Sequence, residues 1–327
     1  MLSPHQTDTI LRNRYKLTNI VGHGGMGNVY RAEDLRLPGR LCAIKEIQPD
    51  PNDTAEVWAQ AQQQFLKEAS ILAQLDHPNL PKVSDFFAEN QRDYLVMDYV
   101  PGQDLKQILE SSRKEGRSLT EPQILEWAEQ IMDALDYLHR QPTPVLHRDI
   151  KPANIKVTPD GRIKLVDFGL VKLMLPDDHR TITVVQGRGT ALYTPLEQYG
   201  GESGHTDGRT DIYALGATLY HLLTDFPPPD AKARFLNPRA LQPPRAIKPY
   251  ISSHVSEAIM WAMEMHPDDR PHNIAEFRQV LRGRVNRPDR RDTSTNQDTL
   301  AAAIKSNRLP ALIALTLLIL AIILTIL

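Results

Sequence analysis

The stretch LHRDIKPANIKV, residues 146 to 157, places ionisable and amide side chains between two apolar runs. Asp149, Lys151 and Asn154 bring a carboxylate, an ammonium group and an amide into one short segment. Catalytic loops use side chains of these types for proton transfer and metal binding. A solvated loop between strands is the more frequent structure for such a segment, so the rest of the sequence must decide between the two.

Glycines near the N-terminus form a second pattern that could do chemistry. In IVGHGGMGNVY, Gly22, Gly24 and Gly27 follow a G-x-G-x-x-G spacing. Dinucleotide-binding folds use the same spacing, but there a helix follows the glycines, whereas here Val29 begins a second strand-like run. The pattern therefore favours a hairpin whose backbone N–H groups approach phosphate oxygens, because no side chains intervene.

Lys45 and Glu68 are charged residues in apolar surroundings. Lys45 lies in CAIKEI among Ala43, Ile44 and Ile47, and Glu68 falls on the apolar stripe of a predicted helix. A charge that faces a core is costly unless it is paired. We therefore predict a Lys45–Glu68 ion pair, in which Lys45 also reaches nucleotide phosphates. The alternative is an exposed strand position for Lys45 and a place at the rim of the stripe for Glu68.

The elements that must position these residues begin with strands. Short runs of β-branched and aromatic residues alternate with polar turns in the first hundred residues. These runs are YKLTNIV (15–21), GNVYRAED (27–34), LCAIKEI (41–47), KVSDFFAEN (82–90) and DYLVMDY (93–99). One predicted helix interrupts them at residues 62–77, where Phe65, Ala69, Leu72 and Leu75 share one stripe.

Helical periodicity dominates the second part of the chain. Thr120 and Gln123 form a predicted capping box at the start of the helix in TEPQILEWAEQIMDALDYLHR. Further helices are predicted in TDIYALGATLYHLLTD, VSEAIMWAMEM and NIAEFRQVLRG. Strand-like pieces PVLH, NIKVT and RIKLVDF surround the opening stretch, with Asp160-Gly161 as a hairpin turn. The Pro-rich residues 227–249 are predicted to form an irregular loop.

These patterns occur together, and in the same order, in one known family. Residues 15 to 281 resemble a protein kinase catalytic domain, and GHGGMGNVY, HPNL and HRDIKPANI are similar to the bacterial eukaryotic-like Ser/Thr kinases. The resemblance implies an α+β, bilobal fold, with a β-rich N-lobe at residues 15–100 and a mostly helical C-lobe at residues 101–282. Residues 1–14 are then an N-terminal extension. The segment LHRDIKPANIKV, residues 146 to 157, is accordingly predicted to be the catalytic loop.

By this resemblance, the catalytic residues are Asp149, Lys151, Lys45 and Glu68. Asp149 would accept or orient the proton of the attacking hydroxyl, and Lys151 would contact the transferred phosphate, as in kinases specific for Ser and Thr. Asn154 and Asp167 would hold Mg²⁺. Physical chemistry agrees with these roles, because two carboxylates and an amide supply the hard oxygen ligands that Mg²⁺ prefers.

The resemblance also implies ATP, with Mg²⁺ or Mn²⁺, as the cofactor. Met97 would be the gatekeeper, and Asp98 and Val100 would offer hinge backbone to adenine. The residues expected to line the nucleotide site are Val21, Gly22, Gly24, Gly25, Gly27, Val29, Ala43, Lys45, Met97, Asp98 and Val100.

Regulatory residues follow from the same resemblance. Arg148 precedes the catalytic Asp and would pair with a phosphorylated activation-loop residue, for which Thr181 and Thr183 are the candidates. Thr190 is expected to bond the catalytic Asp and Lys151 rather than to act as a switch.

One motif departs from the family pattern. The sequence has Pro195-Leu196-Glu197 where Ala-Pro-Glu is expected, so the proline is displaced by one position. Glu197 is nevertheless expected to form a buried ion pair with Arg270. Asp211 matches the position that braces the backbone of the catalytic loop.

Composition limits the class of function. A formal net charge of -2 gives no electrostatic reason to expect a nucleic-acid partner, and the resemblance implies protein substrates. The single cysteine, Cys42, excludes an intramolecular disulfide framework and fits a reducing, cytosolic setting. The residues MLSPHQTDTI do not resemble a secretory signal.

The C-terminal residues Leu309–Leu327 contain no charged side chain. As a helix they would extend about 28 Å, close to the ~30 Å of a bilayer's hydrocarbon core. We therefore predict a single transmembrane helix rather than a buried core helix, preceded by a basic flexible linker at residues 283–308. Five Arg against two Asp at residues 282–292 predict a cytoplasmic kinase domain. No external sensor domain is expected after the span.

The preferred function is a membrane-anchored Ser/Thr protein kinase that also phosphorylates its own activation loop. A homodimer that activates in trans is a further hypothesis, because anchoring raises the effective concentration of one copy for another. The alternative is a membrane-bound pseudokinase scaffold. Pseudokinases usually lack one of five residues, and all five are present here: Lys45, Glu68, Asp149, Asn154 and Asp167. A dinucleotide-binding oxidoreductase would depend on the glycines alone.

Overall fold

The structure is a computed structural model of the chain, and it describes residues 4–24, 27–48, 54–167, 190–199 and 206–287. The chain divides into two compact units, Met1–Asn286 and Arg287–Leu327. All helices and strands named below lie in the first unit.

Six strands form an antiparallel sheet in the first hundred residues. They are β1 (Ile10–Leu11), β2 (Tyr15–Gly24), β3 (Gly27–Asp34), β4 (Leu41–Ile47), β5 (Val83–Glu89) and β6 (Arg92–Asp98). Their order in the sheet is β1-β2-β3-β4-β6-β5. The five predicted strand-like runs correspond to β2 to β6, so that prediction is confirmed. The sequence did not indicate β1, because two residues cannot show an alternation.

The two faces of this sheet pack into different cores. Side chains alternate along β3 and β4, so that Tyr30, Ala32, Cys42 and Ile44 are buried on one face. This outer face forms a small core of its own, in which Leu11 of β1 takes part. The opposite face packs against the helix that follows β4 and joins the large core of the molecule.

That helix is α1 (Ala55–Gln74), which contains most of the helix predicted at residues 62–77 but begins earlier. Thr54 caps its N-terminus, because the hydroxyl accepts a hydrogen bond from the backbone N–H of the first turn at 3.4 Å. Glu68 is only 1% exposed. The predicted position of Glu68 on the buried stripe is therefore confirmed.

The second part of the chain is mostly helical. Its helices are α2 (Leu105–Lys114), α3 (Glu121–His139), α4 (Gly208–Thr224), α5 (Ala231–Leu236), α6 (Pro244–Ile247), α7 (Ser253–Ala262) and α8 (Ile274–Leu281). A small sheet joins β7 (Gln103–Asp104), β8 (Ile155–Val157) and β9 (Ile163–Leu165). Short 3₁₀ turns occur at Pro152–Asn154, Ala191–Tyr193, Leu196–Gln198 and Pro267–Asp269. The predicted α+β arrangement of a β-rich lobe and a helical lobe is confirmed.

Helix α4 is the central helix of the second lobe. Nearly all of its residues are buried, on every side of the helix. Asp207 caps its N-terminus by accepting a hydrogen bond from the backbone N–H of Arg209 at 2.8 Å. An element that is fixed on all sides can hold neighbouring loops in place, which is the role α4 has in the site described below.

Two predictions about local structure are wrong. Thr120 is the N-cap residue of α3 but its side chain makes no capping hydrogen bond, so the capping box with Gln123 does not form. Pro122 in the first turn starts this helix instead. PVLH is not a strand in the described residues, because the N–H of Val145 donates to the carbonyl of Leu138 and turns the segment back onto α3.

The Pro-rich residues 227–249 also differ from the prediction, since they contain α5 and α6. Asp230 caps α5 by accepting a hydrogen bond from the N–H of Ala233 at 2.7 Å, and a proline begins α6. In contrast, the predicted hairpin turn at Asp160-Gly161 is confirmed. It joins β8 to β9, and Gly161 has a φ of 80°, which glycine adopts without strain.

No helix in the described part of the chain is both long enough and apolar enough to cross a membrane. The predicted span at residues 309–327 lies outside the described residues, as does the predicted linker from residue 288 onward.

Candidate active site

The predicted catalytic loop follows α3, and α4 holds its backbone. Asp211, in the first turn of α4, accepts hydrogen bonds from the backbone N–H groups of His147 at 2.9 Å and Arg148 at 2.7 Å. Arg148 has a φ of 61°, a left-handed conformation that non-glycine residues rarely adopt. The contact expected of Asp211 is thus present, and it holds a strained turn directly before Asp149.

Asp149, Lys151 and Asn154 converge as the sequence suggested. The Lys151 ammonium donates to Oδ2 of Asp149 at 2.8 Å and to the hydroxyl of Thr190 at 2.9 Å. The amide nitrogen of Asn154 donates to the same Oδ2 at 2.8 Å and to the backbone carbonyl of Asp149 at 2.9 Å. Two donors therefore orient the Asp149 carboxylate. Thr190 contacts Lys151 directly and is linked to Asp149 through that ammonium group.

Asp167 follows β9 and forms an ion pair with Lys45 of β4. Burial by itself would raise the pKa of Asp167, but Lys45 and then Lys151 and His147 hold it below its ordinary value. The Asp167 carboxylate is therefore ionised at neutral pH. The predicted Lys45–Glu68 ion pair stays a prediction.

The glycine-rich stretch forms the predicted hairpin between β2 and β3. Gly22 is paired with Val29, and Gly24 is paired with Gly27 at the end of the hairpin. Gly25 lies outside the described residues. Because strands rather than a helix flank the glycines, the prediction of a hairpin over a dinucleotide-type βαβ unit is confirmed.

The side chains expected to line the nucleotide site share one face of the sheet. Val29 is paired with Lys45, and Ala43 with Met97, and directly paired residues point to the same face. Met97 and Val100 are both 7% exposed. The other expected residues in the described part of the chain are Val21 on β2 and Asp98 at the end of β6.

Arg148 directs its guanidinium towards the start of α4. Its Nη2 donates to the hydroxyl of Thr206 at 3.0 Å, while Nε has no hydrogen-bond partner among the described residues. Burial lowers the pKa of Arg148, and nearby carboxylates offset part of this effect. The two predicted phosphorylation candidates, Thr181 and Thr183, lie outside the described residues.

The expected Glu197–Arg270 ion pair is present. Nη1 of Arg270 donates to Oε1 of Glu197 at 2.6 Å, and Nη2 donates to Oε2 at 3.0 Å. The Arg270 side chain is 0% exposed, and it also donates to three backbone carbonyls. The displaced Pro195 therefore does not prevent this bidentate contact.

These motifs have the order and contacts of a kinase catalytic centre, and the family described as the protein kinase domain matches residues 15–282. The chain belongs to the protein kinase family.

The similar proteins with assigned names include several bacterial kinases. A probable serine/threonine-protein kinase of Streptomyces coelicolor is 36% identical over 278 residues, which are 82% of this chain and 39% of that protein. Serine/threonine-protein kinase B of Synechocystis is 35% identical over 223 residues, 65% of this chain and 37% of that protein. PknF of Mycobacterium tuberculosis is 34% identical over 303 residues, 88% of this chain and 60% of PknF. The chain thus spans only 39% of the first of these relatives.

Solved structures give the same fold. The apo form of PpkA-294 has a TM-score of 0.67 and 28% identity, and the match covers 85% of this chain and 99% of that chain. The kinase domain of Mycobacterium tuberculosis PknI has a TM-score of 0.64 and 27% identity, with 86% and 100% covered. The bilobal protein kinase fold is therefore shown for this chain.

The site has side chains of the types that ATP with Mg²⁺ requires. Asp167 offers an ionised carboxylate, and Asn154 offers its amide oxygen, because its nitrogen faces Asp149. Mg²⁺ in such sites takes one or two carboxylates and completes its octahedron with phosphate oxygens and water. The residues present therefore fit the metal and nucleotide.

Two histidines near the site could not be identified from the sequence. Nε2 of His139, in the last turn of α3, lies 2.8 Å from Oδ2 of Asp211. Burial alone would raise the pKa of Asp211, but this hydrogen bond and the nearby His139 and His147 hold it below its ordinary value. A lone His in the last turn of a helix is common, so the sequence carried no signal for it.

The second histidine is His221 of α4, whose Nδ1 lies 2.7 Å from the hydroxyl of Tyr193. Burial, followed by the charges of Arg113 and Lys106, lowers the pKa of His221 to about 4. His221 is therefore neutral at physiological pH, and its Nδ1 shares a hydrogen bond with the Tyr193 hydroxyl. This contact fixes the 3₁₀ turn that directly follows Thr190.

Proposed function

We propose that this chain is a protein kinase that transfers the γ-phosphate of ATP to Ser and Thr hydroxyls of proteins. The observation that carries the proposal is the hydrogen-bonded cluster of Asp149, Lys151, Asn154 and Thr190. The names of bacterial relatives, which are serine/threonine-protein kinases, support the hydroxyl class.

Asp149 is proposed to receive the hydroxyl proton. Lys151 and Asn154 both donate to its Oδ2, which fixes the plane of the carboxylate. A carboxylate held in this way orients an attacking hydroxyl and accepts its proton as the new bond to phosphorus forms. Because the Lys151 ammonium lies beside the same carboxylate, it would also stabilise negative charge on the phosphoryl group during transfer.

ATP is proposed to lie between the glycine hairpin and the hinge. The hairpin N–H groups and Lys45 would contact the phosphates, and the backbone of Asp98 and Val100 would contact adenine. Asp167 and Asn154 would hold Mg²⁺, or Mn²⁺ in its place. When bound, the metal neutralises charge on the β- and γ-phosphates. Glu68 is proposed to pair with Lys45 when Asp167 holds Mg²⁺ instead of the Lys45 ammonium.

The experiment that tests the proposal measures phosphate transfer by the full-length chain in detergent, with γ-labelled ATP and Mg²⁺. We expect label on Ser or Thr of a generic protein substrate. Asp149→Asn should lower the rate by about 10²–10⁴-fold. Asp160→Asn, a matched change of an exposed carboxylate in the β8–β9 turn, should leave the rate of transfer unchanged. Nucleotide binding without transfer by the unaltered chain would instead favour the pseudokinase scaffold.

Autophosphorylation is proposed at Thr181 or Thr183. The support is Arg148, whose half-buried guanidinium contacts Thr206 and has an Nε without a hydrogen-bond partner among the described residues. A phosphate group provides several strong acceptors for such a guanidinium. Mass spectrometry after incubation with ATP should locate phosphate on one of these threonines. Phosphate elsewhere only would contradict the assignment.

Residues Leu309–Leu327 are proposed to anchor the chain in a membrane, with the kinase domain on the cytoplasmic side. The support is the uncharged 19-residue sequence and the Arg-rich segment before it. The full-length chain should stay with membranes after alkaline carbonate extraction. Leu317→Arg combined with Leu320→Arg should release it, because each Arg at the centre of a span costs about 2.5–3.5 kcal/mol. Equal retention of both proteins would contradict the anchor.

A further inference from the structure

Strand β4 carries two adjacent charged residues that point to opposite faces of the sheet. Lys45 shares its face with Val29 and Leu95, whereas Glu46 is on the outer face and is 0% exposed. The catalytic scheme uses Lys45 and gives Glu46 no role. A buried carboxylate is unfavourable unless its partners compensate for the lost hydration, so those partners indicate what Glu46 does.

The side chain of Glu46 binds the second strand of the glycine hairpin. Its Oε2 accepts hydrogen bonds from the amide of Asn28 at 3.1 Å and from the hydroxyl of Tyr30 at 2.8 Å. Its Oε1 forms an ion pair with Arg92 of β6. Asn28 and Tyr30 belong to β3, which begins at the last glycine of the hairpin. Glu46 therefore joins three strands at the point where the hairpin leaves the sheet.

The backbone of Glu46 contacts the same part of the hairpin. Gly27 has a φ of 142°, and a Cβ built at this position would lie 2.1 Å from the carbonyl oxygen of Glu46. Only glycine can approach the strand so closely. Gly27 thus packs directly against the carbonyl of Glu46, and the side chain of Glu46 binds the next hairpin residue, Asn28.

The N-terminal extension completes this network through His5. The backbone N–H of His5 donates to the Tyr30 hydroxyl at 3.0 Å. Its Nε2 lies 2.7 Å from the Tyr94 hydroxyl and 3.1 Å from Nη1 of Arg92. Burial and then the charge of Arg92 lower the pKa of His5, which favours its neutral ring. Nε2 accepts from Arg92, because a guanidinium can only donate. Two of the three side chains that bind Glu46, those of Tyr30 and Arg92, therefore also contact His5.

From these contacts we infer that Glu46 is a positioning residue for the phosphates of ATP. It acts by fixing the glycine hairpin through Gly27 and Asn28, and the N-terminal extension supports it through His5. Charge-assisted hydrogen bonds in a fully satisfied buried network are strong and restrict motion. A hairpin so restricted loses less conformational entropy when its N–H groups bind phosphates, which tightens nucleotide binding. The inference rests on the proposed function, since it specifies how the same nucleotide site is held.

The test separates positioning from general stability. A variant that merely folds less well has fewer active molecules, which lowers kcat but leaves the KM for ATP and the Kd for nucleotide unchanged. A variant with a loose hairpin binds phosphates more weakly in every molecule. The measurements are therefore kcat and KM for ATP with a peptide substrate, and the Kd of Mg-ADP by calorimetry, all on the full-length chain.

Glu46→Gln keeps the shape of the side chain and removes its charge. We expect the KM for ATP and the Kd for Mg-ADP to rise about tenfold, which corresponds to about 1.4 kcal/mol, while kcat stays within about twofold. His5→Ala should change both constants in the same direction by about threefold, because it removes only the outer contacts. Asp8→Asn is the matched control on the same segment, where Asp8 is 73% exposed and contacts Lys16, and it should change neither constant.

Asn28→Ala keeps the test decisive if Glu46→Gln does not fold, because it removes one hydrogen bond to Oε2 and no charge. It should raise both constants about threefold. The inference would be overturned if KM and Kd were unchanged in His5→Ala and also in Glu46→Gln or Asn28→Ala, whatever happens to kcat. If the unaltered chain binds Mg-ADP but transfers no phosphate, the kinase proposal fails, and the Kd values still decide whether Glu46 positions the hairpin.

Discussion

Asp211 and Arg270 are fully buried charged residues with several partners each. Asp211 accepts from two backbone N–H groups of the catalytic loop, and Arg270 binds both oxygens of Glu197. Removing one partner of such a pair leaves an uncompensated charge in a low-dielectric interior, which is more unfavourable than never having had the pair. Asp211 therefore stabilises the backbone of the catalytic loop, and Arg270 stabilises the segment around Glu197.

At the residue scale, Arg270→Met is expected to lower the free energy of unfolding by about 3–5 kcal/mol. Glu197 would remain with only 9% of its side chain exposed and would lose its two guanidinium contacts. The control is Arg140→Met, which removes an i,i+4 pair with Asp136 whose Arg is 70% exposed; it should cost less than about 1 kcal/mol. Urea unfolding followed by intrinsic fluorescence measures both. A similar loss of unfolding free energy in Arg270→Met and Arg140→Met would contradict the expectation that burial makes the Glu197–Arg270 pair costly to break.

A second prediction at the residue scale concerns His221 and the pH dependence of the free energy of unfolding. Its pKa is lowered to about 4 in the folded state, against about 6.5 in an unfolded chain. The unfolded state therefore binds the proton first as the pH falls. The stability that neutral His221 contributes is fully present above about pH 6.5 and is lost as the pH falls from there towards 4.

The measurement is the free energy of unfolding at pH 7 and pH 5 for the unaltered chain and for His221→Gln, which still accepts from Tyr193. The loss between the two pH values should be smaller in the variant by up to about 2 kcal/mol. Other groups that titrate in this range, such as His77 and His147, act equally in both proteins. Equal losses in the two proteins would show that His221 is not held neutral.

At the element scale, strands and helices that carry their own periodicity could be predicted from the sequence. Strands β2 to β6 have seven or more residues each and contain β-branched and aromatic side chains, and α3, α4, α7 and α8 repeat apolar residues at helical spacing. The missed elements depend on partners instead. β1 has two residues and exists through its pairing with β2, and α5 and α6 have six and four residues between prolines.

The residues of the candidate site also fall into two groups, those whose grouping could be predicted from local sequence and those whose partners are distant in sequence. Asp149, Lys151 and Asn154 lie in one short motif, so local sequence contained both the residues and their grouping. The partners of Lys45 and Asp211 were harder to predict, because Asp167 lies 122 residues after Lys45 and His139 lies 72 residues before Asp211. Motifs give the identity of site residues, whereas tertiary packing decides which of several candidate charges pair.

Close packing of α4 against α7 gives a prediction at the element scale. A Cβ on Gly216 would lie 2.8 Å from the Cβ of Ala262 and 3.0 Å from Cγ of Met263. Gly216→Ala should therefore destabilise the fold by about 1–3 kcal/mol, although alanine is the better helix former by about 1 kcal/mol. Adding Ala262→Gly should recover most of the packing loss. A single variant more stable than the unaltered chain in thermal unfolding would contradict this close contact.

At the scale of the whole molecule, the proposed membrane anchor would change how often two copies meet. The predicted linker at residues 283–308 would have a root-mean-square length of about 28 Å if it behaved as a flexible chain, so the kinase domain would stay within a few nanometres of the bilayer. Copies that share a membrane then have an effective concentration set by their surface density rather than by the volume of solution. In such an encounter, one copy would phosphorylate Thr181 or Thr183 of the other, and the phosphate would bind Arg148 of the phosphorylated copy.

The resulting prediction concerns the rate of loop phosphorylation in lipid vesicles. For the full-length chain, the rate per molecule should rise in proportion to the number of copies per vesicle area and should not change when the vesicles are diluted. The Leu317→Arg, Leu320→Arg variant, which does not insert, should instead slow in proportion to dilution. Mixing unaltered chains with Asp149→Asn chains, whose own transfer is blocked, should place phosphate on the inactive copies. A rate independent of surface density, with inactive copies left unphosphorylated, would show that each chain modifies itself, because an intramolecular step has no dependence on neighbours.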